Sequence, residues 1–296
     1  MSRDQYNAAV QAEWRKRARG ARAWMAVGAA LGAVLLGPIG WAWTGGDGVG
    51  AVVGALVGVA AGAGIAWLVV RAQARRAAHR AVAANWARDH GWQYAEKVEI
   101  PAIDLGFLRQ GDRRYCEDGA LGHLAGHPAE FANFTVEKDS TDGEGRRQTD
   151  YDRYFIVVIH RQWQGPALTM VRRSISLGRG LRNAVRSSAT SRKVVDVEND
   201  SFAKEFQVTI PDEWQPDVVF LLIPPDMQEQ LADGVRLDDV RQVDAHPAFL
   251  FLAWPKHFSA EDLPLLEQRL GDVEWLAGRW GDVPPAMRPL APGGAA

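Results

Sequence analysis

Several signatures of catalysis and cross-linking are missing from this 296-residue chain. Its single cysteine, Cys116, excludes an internal disulfide and agrees with a reducing cytoplasm. The Gly-Arg-Gly segment at 178–180 lacks the Gly-Lys-Ser/Thr ending of a phosphate loop and the full dinucleotide-binding glycine pattern. His123 and His127 are four residues apart, but Gly126 predicts a turn there instead of a metal-binding helix. We therefore predict no metal site, no nucleotide site and no cofactor.

Two further candidate groups, a cysteine and a pair of aspartates, lie in sequence contexts that do not favour a functional site. Cys116 is followed by Glu117 and Asp118, and negative neighbours raise the pKa of a thiol, so this cysteine is not predicted to be a nucleophile. Asp238 and Asp239 could bind a cation, but adjacent side chains of a strand point to opposite faces. A solvated turn is the simpler interpretation of this acidic pair.

Charge is unevenly distributed along the sequence, although the formal net charge is only −2. Residues 1–88 contain 11 of the 34 basic side chains and 3 of the 36 acidic ones. The remaining 208 residues therefore contain 23 basic and 33 acidic side chains. A basic N-terminal region thus precedes an acidic C-terminal one.

Two uncharged apolar runs lie within the basic region. They span Ala23–Trp43 and residues 49–70, with 21 and 22 residues, and about 20 such residues cross a bilayer core. The join at 44–48 is long enough only for a tight turn, which predicts a membrane hairpin. A cleaved secretion signal is excluded, because the region before the first run is long and Trp41 and Trp43 are bulky.

The flanks of these runs predict the orientation of the hairpin. Arg3, Arg15, Lys16, Arg17, Arg19 and Arg22 precede the first run, and Arg71, Arg75, Arg76, Arg80 and Arg88 follow the second. Short flanks rich in Lys and Arg stay in the cytoplasm. We therefore predict a multi-pass protein of the inner membrane with both termini cytoplasmic.

Glycines recur every four residues in both runs. They are Gly28 and Gly32 in the first run and Gly50, Gly54, Gly58 and Gly62 in the second. This spacing places them on one helix face and allows close approach of another helix. The two spans could pack on each other, or a homo-oligomer could form through the remaining face. A pore is not favoured, because neither run has a polar stripe.

The remaining sequence predicts an α+β fold. Its segments are a basic juxtamembrane helix (1–22), the hairpin (23–70), a helical stalk (71–91), a cytoplasmic α+β domain (92–282) and a disordered tail (283–296). In the cytoplasmic domain, strand patterns over 113–123 and 128–137 predict an antiparallel pair with Gly126 in the turn, and the apolar run 154–159 predicts a central strand covered on both faces. A loop is predicted over 138–150, and a late hairpin pairs 240–245 with 249–254. Helices are predicted over 201–206, 214–222 and 225–231. A C-terminal amphipathic helix covers 262–277, where Gly271 could split it. Strands grouped before helices favour a mostly antiparallel sheet.

A basic segment interrupts the acidic domain at residues 172–193. Its basic side chains are Arg172, Arg173, Arg179, Arg182, Arg186, Arg192 and Lys193, and it has no acidic residue. A solvated loop paired with acidic neighbours is one interpretation, and contact with anionic lipid headgroups is the other. Nucleic-acid binding is not favoured, because the segment has no aromatic side chain for stacking.

The order of the segments resembles an uncharacterised, actinobacterial-type family of bacterial membrane proteins. The matching motifs are residues 86–92, 125–128 before Phe131 and Phe134, 155–159, 202–208 and 221–224. The resemblance implies an N-terminal two-helix membrane hairpin and a cytoplasmic domain of unknown function. It implies no catalytic residues.

These patterns predict a membrane-anchored cytoplasmic module without catalytic activity. Such a module would bind a protein partner or organise an assembly at the inner face of the membrane. The alternative is a membrane-tethered enzyme of the hydrolase type, whose catalytic residues are scattered along the chain. A cleft with converging His, Asp or Glu side chains of shifted pKa would favour the enzyme.

Overall fold

The computed structural model describes residues 3–103, 105–109, 111–141, 147–173, 191–280, 283–284 and 287. The chain divides into two units, Met1–Asn85 (unit 1) and Trp86–Ala296 (unit 2). Unit 1 is helical, and unit 2 combines a nine-stranded antiparallel sheet with short helices and a longer C-terminal helix. The predicted α+β fold class is confirmed.

Two long helices, α1 (Arg3–Trp43) and α2 (Gly48–Asp89), begin the chain. The basic N-terminal segment continues into the first apolar run without a break, and the second run continues into the predicted stalk. Asp47 lies just before α2, where its Oδ1 accepts the Val49 N–H at 3.1 Å and caps the helix. Each helix contains a stretch long and apolar enough to cross a membrane.

Unit 2 is built on one sheet. Its strands are β1 (Gln93–Val98), β2 (Arg113–Leu124), β3 (His127–Thr141), β4 (Arg147–His160), β5 (Leu168–Arg172), β6 (Arg192–Val195), β7 (Phe206–Pro211), β8 (Gln242–His246) and β9 (Phe249–Pro255). Their order across the sheet is β1-β2-β3-β4-β9-β8-β5-β7-β6. The predicted β2–β3 and β8–β9 hairpins are confirmed, and so is the central position of β4 between β3 and β9.

The loop predicted at 138–150 is wrong over most of its length. Strand β3 runs on to Thr141 and β4 starts at Arg147, with these two residues paired in the ladder. Lys138 Nζ donates to Asp152 Oδ2 at 2.5 Å across the ribbon. The polar composition therefore reflects a ribbon exposed on both faces, stabilised by cross-strand pairs, and not a lack of structure.

Four strands, β1, β5, β6 and β7, were not predicted. Strand β6 has four residues and begins with two basic side chains, so it has no apolar alternation to detect. Strand β7 starts at Phe206 directly after a helix, with no turn residue between them. Such strands are defined by their neighbours in the sheet more than by their own pattern.

The helices of unit 2 are α3 (Asp200–Glu205), α4 (Val218–Leu222), α5 (Pro225–Ala232) and α6 (Leu263–Arg279). Asn199 caps α3, with its Oδ1 accepting the Phe202 N–H at 2.9 Å. Helix α4 starts four residues later than predicted, because Pro216 disfavours helical backbone at the residue before it. Helix α6 runs unbroken through Gly271, so the suggested split does not occur.

Aromatic side chains fill both faces of the sheet. Phe131, Phe155 and Trp254 share one face, where Arg269 of α6 lies over the Phe155 and Trp254 rings at 5.6 and 5.5 Å. On the opposite face, Phe134 belongs to a buried cluster covered by Phe107 of a 3-10 turn at Gly106–Arg109, and this cluster also includes Tyr154 and Phe251. The alternation of side chains along each strand thus produces two separate layers.

The boundaries of unit 2 extend beyond those predicted for the cytoplasmic domain. The unit begins at Trp86, because both Trp86 and Trp92 pack on Phe131, at ring-centroid distances of 6.0 and 5.1 Å. Val283 falls in the predicted tail, yet it is buried and donates its backbone N–H to Gln164 O at 2.9 Å. The rest of the tail lies mostly outside the described residues.

Candidate functional site

Helices α1 and α2 contact each other through glycine. The facing sets are Gly28 with Gly62, Gly32 with Gly58, and Gly40 with Gly50 and Gly54. A Cβ added at Gly28 would lie 2.6 Å from Gly62 O, and one added at Gly32 would overlap Gly58 O. The structure therefore brings all six singled-out glycines to one contact within the hairpin. A second copy of the chain would have to pack on another face.

The outer faces of α1 and α2 carry large apolar side chains that are exposed. Trp43 is 89% exposed and Val34 is 70% exposed, and Leu35, Leu56 and Ile65 are exposed to similar extents. Each square ångström of such surface left in water costs about 25 cal/mol. An apolar environment is therefore the one that suits these faces.

The basic segment is described only at its two ends. Arg179, Arg182 and Arg186 lie outside the described residues. Arg172 lies 3.9 Å from Glu205 and 5.0 Å from the centre of the Phe206 ring, whereas Arg173 is exposed.

The far end of the segment is bound into the sheet. Arg192 Nη2 donates to Ala167 O at 2.5 Å and to Thr209 O at 3.2 Å, and Lys193 Nζ donates to Asp212 O at 2.9 Å. Arg172, Arg192 and Lys193 thus hold the ends of the segment against neighbouring strands. This structural role was missed, because it depends on strands that the sequence pattern did not reveal.

An open groove of about 440 Å³ lies where β9 ends beside β4. We call it the β9-end groove; its lining residues are Tyr151, Asp152, Arg153, Tyr154, Arg241, Pro255, Lys256 and His257. The pairing of Tyr154 with Pro255 brings the two strands together, and the Lys256 N–H donates to Arg153 O at 2.8 Å. The backbone N–H of Arg241 donates to Ala253 O at 2.8 Å, and this bond brings a third segment of the chain to the groove.

Cationic side chains dominate the groove. Arg153, Arg241 and Lys256 have no carboxylate partner within the described parts of the chain. The acidic lining residue is Asp152, whose Oδ2 already accepts from Lys138 at 2.5 Å. The groove is therefore positively charged in a unit that is acidic overall.

Backbone conformation and burial single out two of these cations. Lys256 has a φ of 72°, in the left-handed region that non-glycine residues seldom adopt and that is common at functional sites. The Arg241 guanidinium lies 5.5 Å from the Tyr154 ring centre, and its Nε–H is buried without an acceptor among the described residues. A buried donor without a partner is costly unless a ligand or water accepts from it.

His257 is the histidine of the groove, and its surroundings argue against a catalytic pair. Its Nε2 lies 3.0 Å from Thr135 Oγ1 and 3.3 Å from Phe134 O. Burial lowers the pKa of His257, and the charge of Arg153 lowers it further, so the ring is neutral at pH 7. Thr135 is 1% exposed, so its hydroxyl cannot reach a substrate. The arrangement therefore gives the hydrolase alternative no nucleophile and base at this groove.

A buried polar cluster crosses β8, β5, β7 and β6. Asp244 accepts from Thr169 Oγ1 and from Gln242 Nε2, both at 2.5 Å. Thr169 Oγ1 also accepts from Arg192 Nη2 at 3.0 Å. Burial raises the pKa of Asp244 to about 6, against the opposing effects of these hydrogen bonds and of the Arg192 charge. Asp244 is closed off from solvent, so it bears on stability and not on a reaction.

Cys116 is buried in the apolar cluster around Phe134. Burial, followed by the charge of Glu130, raises the pKa of the Cys116 thiol to about 12. An unreactive thiol was predicted, but burial and Glu130 cause the shift rather than the sequence neighbours Glu117 and Asp118. A second cavity, of about 540 Å³, is lined by Cys116 and its neighbours in β2 together with Lys97 and Val98 of β1.

The other candidate groups are dispersed. His123 and His127 flank the β2–β3 turn, and Asp238 and Asp239 are exposed. No set of three or more His, Cys, Asp or Glu residues that could hold a metal ion is found within the described ranges. The segment 178–180 lies outside them.

Comparison with known proteins gives little further assignment. No protein-family model and no curated protein matches the chain. The crystal structure of the mycobacterial trehalose monomycolate transport factor A, TtfA, is similar to it at 11% identity, with a TM-score of 0.45. The match covers 68% of this chain and 96% of TtfA. At this level the likeness assigns neither a family nor a function.

Proposed function

We propose that this chain is a membrane-anchored binding module of the bacterial inner membrane. The supporting observation is the hairpin of α1 and α2, in which glycines pack inward while Trp43, Val34 and other large apolar side chains are exposed. Such a hairpin anchors the chain in lipid, with both termini and unit 2 on the cytoplasmic side, as the basic flanks favour. Unit 2 binds a protein partner or organises an assembly there and catalyses no reaction.

Contact with anionic lipid headgroups belongs to the same proposal. It depends on Arg173, Arg179, Arg182 and Arg186, since the other three basic side chains of the segment hold its ends against the sheet. Each Lys or Arg near an anionic surface contributes about 1 kcal/mol.

Cysteine labelling in intact cells tests the anchor and its orientation. Thr44→Cys and Ser259→Cys are introduced separately into a Cys116→Ala chain, where alanine suits the buried site better than a polar residue. An impermeant maleimide should label the Thr44→Cys chain in intact cells and the Ser259→Cys chain only after lysis. Labelling of Ser259→Cys in intact cells would contradict the orientation.

Native gel electrophoresis of mildly solubilised membranes tests the binding role. The full chain should migrate in an assembly larger than the purified chain forms in the same detergent. Identical migration of the two samples would count against a stable partner.

A further inference from the structure

The side chains of the β9-end groove suit a ligand site, and they have no role in the proposed membrane anchor. Its functional groups are mainly donors: two guanidinium groups, one ammonium group and the Tyr154 hydroxyl, which has no hydrogen-bond partner among the described residues. Its acidic side chain, Asp152, is already bound by Lys138. A site rich in donors and poor in free acceptors suits a ligand that only accepts hydrogen bonds.

The cations favour a phosphate over other acceptors. Arginine presents a planar fork of donors that matches the oxygens of carboxylate and phosphate, and charge-assisted bonds of this kind are about twice as strong as neutral ones. A phosphate carries a charge of about −1.5 to −2 at pH 7, so it suits three cations better than a carboxylate does. Arg153 and Arg241 supply two such forks, and Lys256 adds a point charge. Since His257 is neutral at pH 7, these three side chains supply the positive charge at that pH.

The size of the groove indicates more than a bare ion. Its volume of about 440 Å³ falls in the range of roughly 300 to 1,000 Å³ that is typical of sites for small organic ligands. Tyr151, which is half-exposed, and Pro255 line the groove beside the cations and offer an apolar wall. A ligand could therefore place a phosphate among the cations and an organic group against this wall.

We propose that the β9-end groove binds a phosphate monoester, with Arg153, Arg241 and Lys256 holding the phosphate and Tyr151 contacting its organic part. The guanidinium groups of Arg153 and Arg241 and the hydroxyl of Tyr154 donate to the phosphate oxygens. Lys256, whose backbone is left-handed, lines the groove beside them. This inference goes beyond the proposed function and does not depend on the membrane anchor.

Calorimetry on the full chain in a nonionic detergent tests the site, with phenyl phosphate as the probe. Phenyl phosphate should bind more tightly than inorganic phosphate, and phenol should not bind. The double variant Arg153→Gln/Lys256→Gln should raise the Kd for phenyl phosphate about tenfold or more, because two charged donors are lost. Both side chains are exposed, so the melting temperature should stay within a few degrees of the parent value.

A matched variant separates the site from general charge. Arg147→Gln/Lys204→Gln removes the same two positive charges from exposed positions outside the groove and should leave the Kd unchanged. Equal weakening by the two double variants would overturn the proposal, and so would a failure of phenyl phosphate to bind the parent chain.

The phosphate could come from a soluble metabolite or from a lipid headgroup. Hydrogen exchange at residues 151–154 of the full chain, in nanodiscs of phosphatidylcholine with or without phosphatidic acid, distinguishes these sources. Slower exchange with phosphatidic acid, with no further slowing when phenyl phosphate is added, supports the site with a headgroup as its ligand. Exchange that slows only on addition of phenyl phosphate supports it with a soluble ligand. Exchange that neither additive slows overturns it.

Discussion

The hairpin of α1 and α2 and the sheet of unit 2 are held together in opposite ways. At the helix contact the residues have no side chains, so that the Gly58 and Gly32 backbones almost touch. In the sheet, large side chains such as Phe134 and Phe155 are completely buried. In lipid, water does not drive apolar surfaces together, so close backbone contact supplies the dispersion energy between helices. In water, burial of apolar area is the main driving force.

Removing a side chain from the sheet should therefore have the largest effect. Phe134→Ala should lower the free energy of unfolding of unit 2 by about 3 to 5 kcal/mol, because it removes apolar contacts and leaves a cavity. Urea unfolding of the full chain in detergent, followed by tryptophan fluorescence, measures this change. Leu221→Ala, at a half-exposed position, is the control and should cost less than about 1 kcal/mol. Similar losses in both variants would contradict the proposed importance of packing.

Titration of Asp244 tests a carboxyl group that is buried in unit 2. Its pKa of about 6 in the folded chain exceeds the ordinary value of 3.8, so the folded state retains a proton that the unfolded state has released. Stability should therefore fall by roughly 2 to 3 kcal/mol as the pH rises from about 4 to above 6. Asp244→Asn should abolish that loss, because asparagine does not ionise. Rotation of the Gln242 amide lets its unpartnered Oε1 accept from the new side chain, so the substitution should be tolerated.

Unfolding at pH 4.5 and pH 7.5 measures this difference. Glu198→Gln, at an exposed carboxylate, should retain the pH dependence of the parent chain. If Asp244→Asn retained it too, the loss of stability would have to originate at another group.

Side chains added at the glycine contact should destabilise the hairpin, whereas side chains removed from the sheet should destabilise unit 2. Gly54→Ile/Gly58→Ile should separate α1 from α2 and lower stability in detergent by about 1 kcal/mol or more, since each new Cβ would overlap backbone atoms of α1. Gly64→Ile is the matched control, because a Cβ there meets nothing within 4 Å. Melting curves and oligomer distributions should change for the double variant alone. An unchanged double variant would mean that the contact is not needed for stability.

The smallest expected effect concerns the basic segment. In nanodiscs, hydrogen exchange of residues 172–193 in the full chain should be slower with anionic phosphatidylglycerol than with phosphatidylcholine alone. Arg179→Gln, Arg182→Gln and Arg186→Gln together should remove the difference, and added salt should weaken it, because exposed charges are screened within about 10 Å at 0.1 M. Equal exchange in both lipids would leave the segment as a solvated loop.

The sequence predicted those parts of the molecule whose signals lie within a short stretch of the chain. The apolar runs and the four-residue glycine spacing lie within single helices, so the hairpin was predictable. The β2–β3 and β8–β9 pairs are joined by short turns at Gly126 and Pro247, which also carry local signals. Strands β5, β6 and β7 have only four to six residues and pair with distant segments of the chain, so they were not predicted.

The groove could not be predicted for a related reason. It joins residues 151–154 to Arg241 and to residues 255–257, which are about 90 to 100 positions away along the chain. No short motif contains them, and they meet because β4 pairs with β9. The left-handed φ of Lys256 was likewise invisible, because lysine carries no turn preference of the kind that marks glycine or asparagine.

The order of the strands also affects the tendency of the protein to aggregate at high concentration. The sheet ends at β1 on one side and β6 on the other, and the outer edge of such a strand can recruit a strand from a second molecule. Both strands are short, with six and four residues, and each includes a lysine, Lys97 or Lys193. Short, charged edges resist intermolecular pairing and aggregation. Sheets of neighbouring molecules would therefore not pair edge to edge, even if the protein were concentrated in the plane of a membrane.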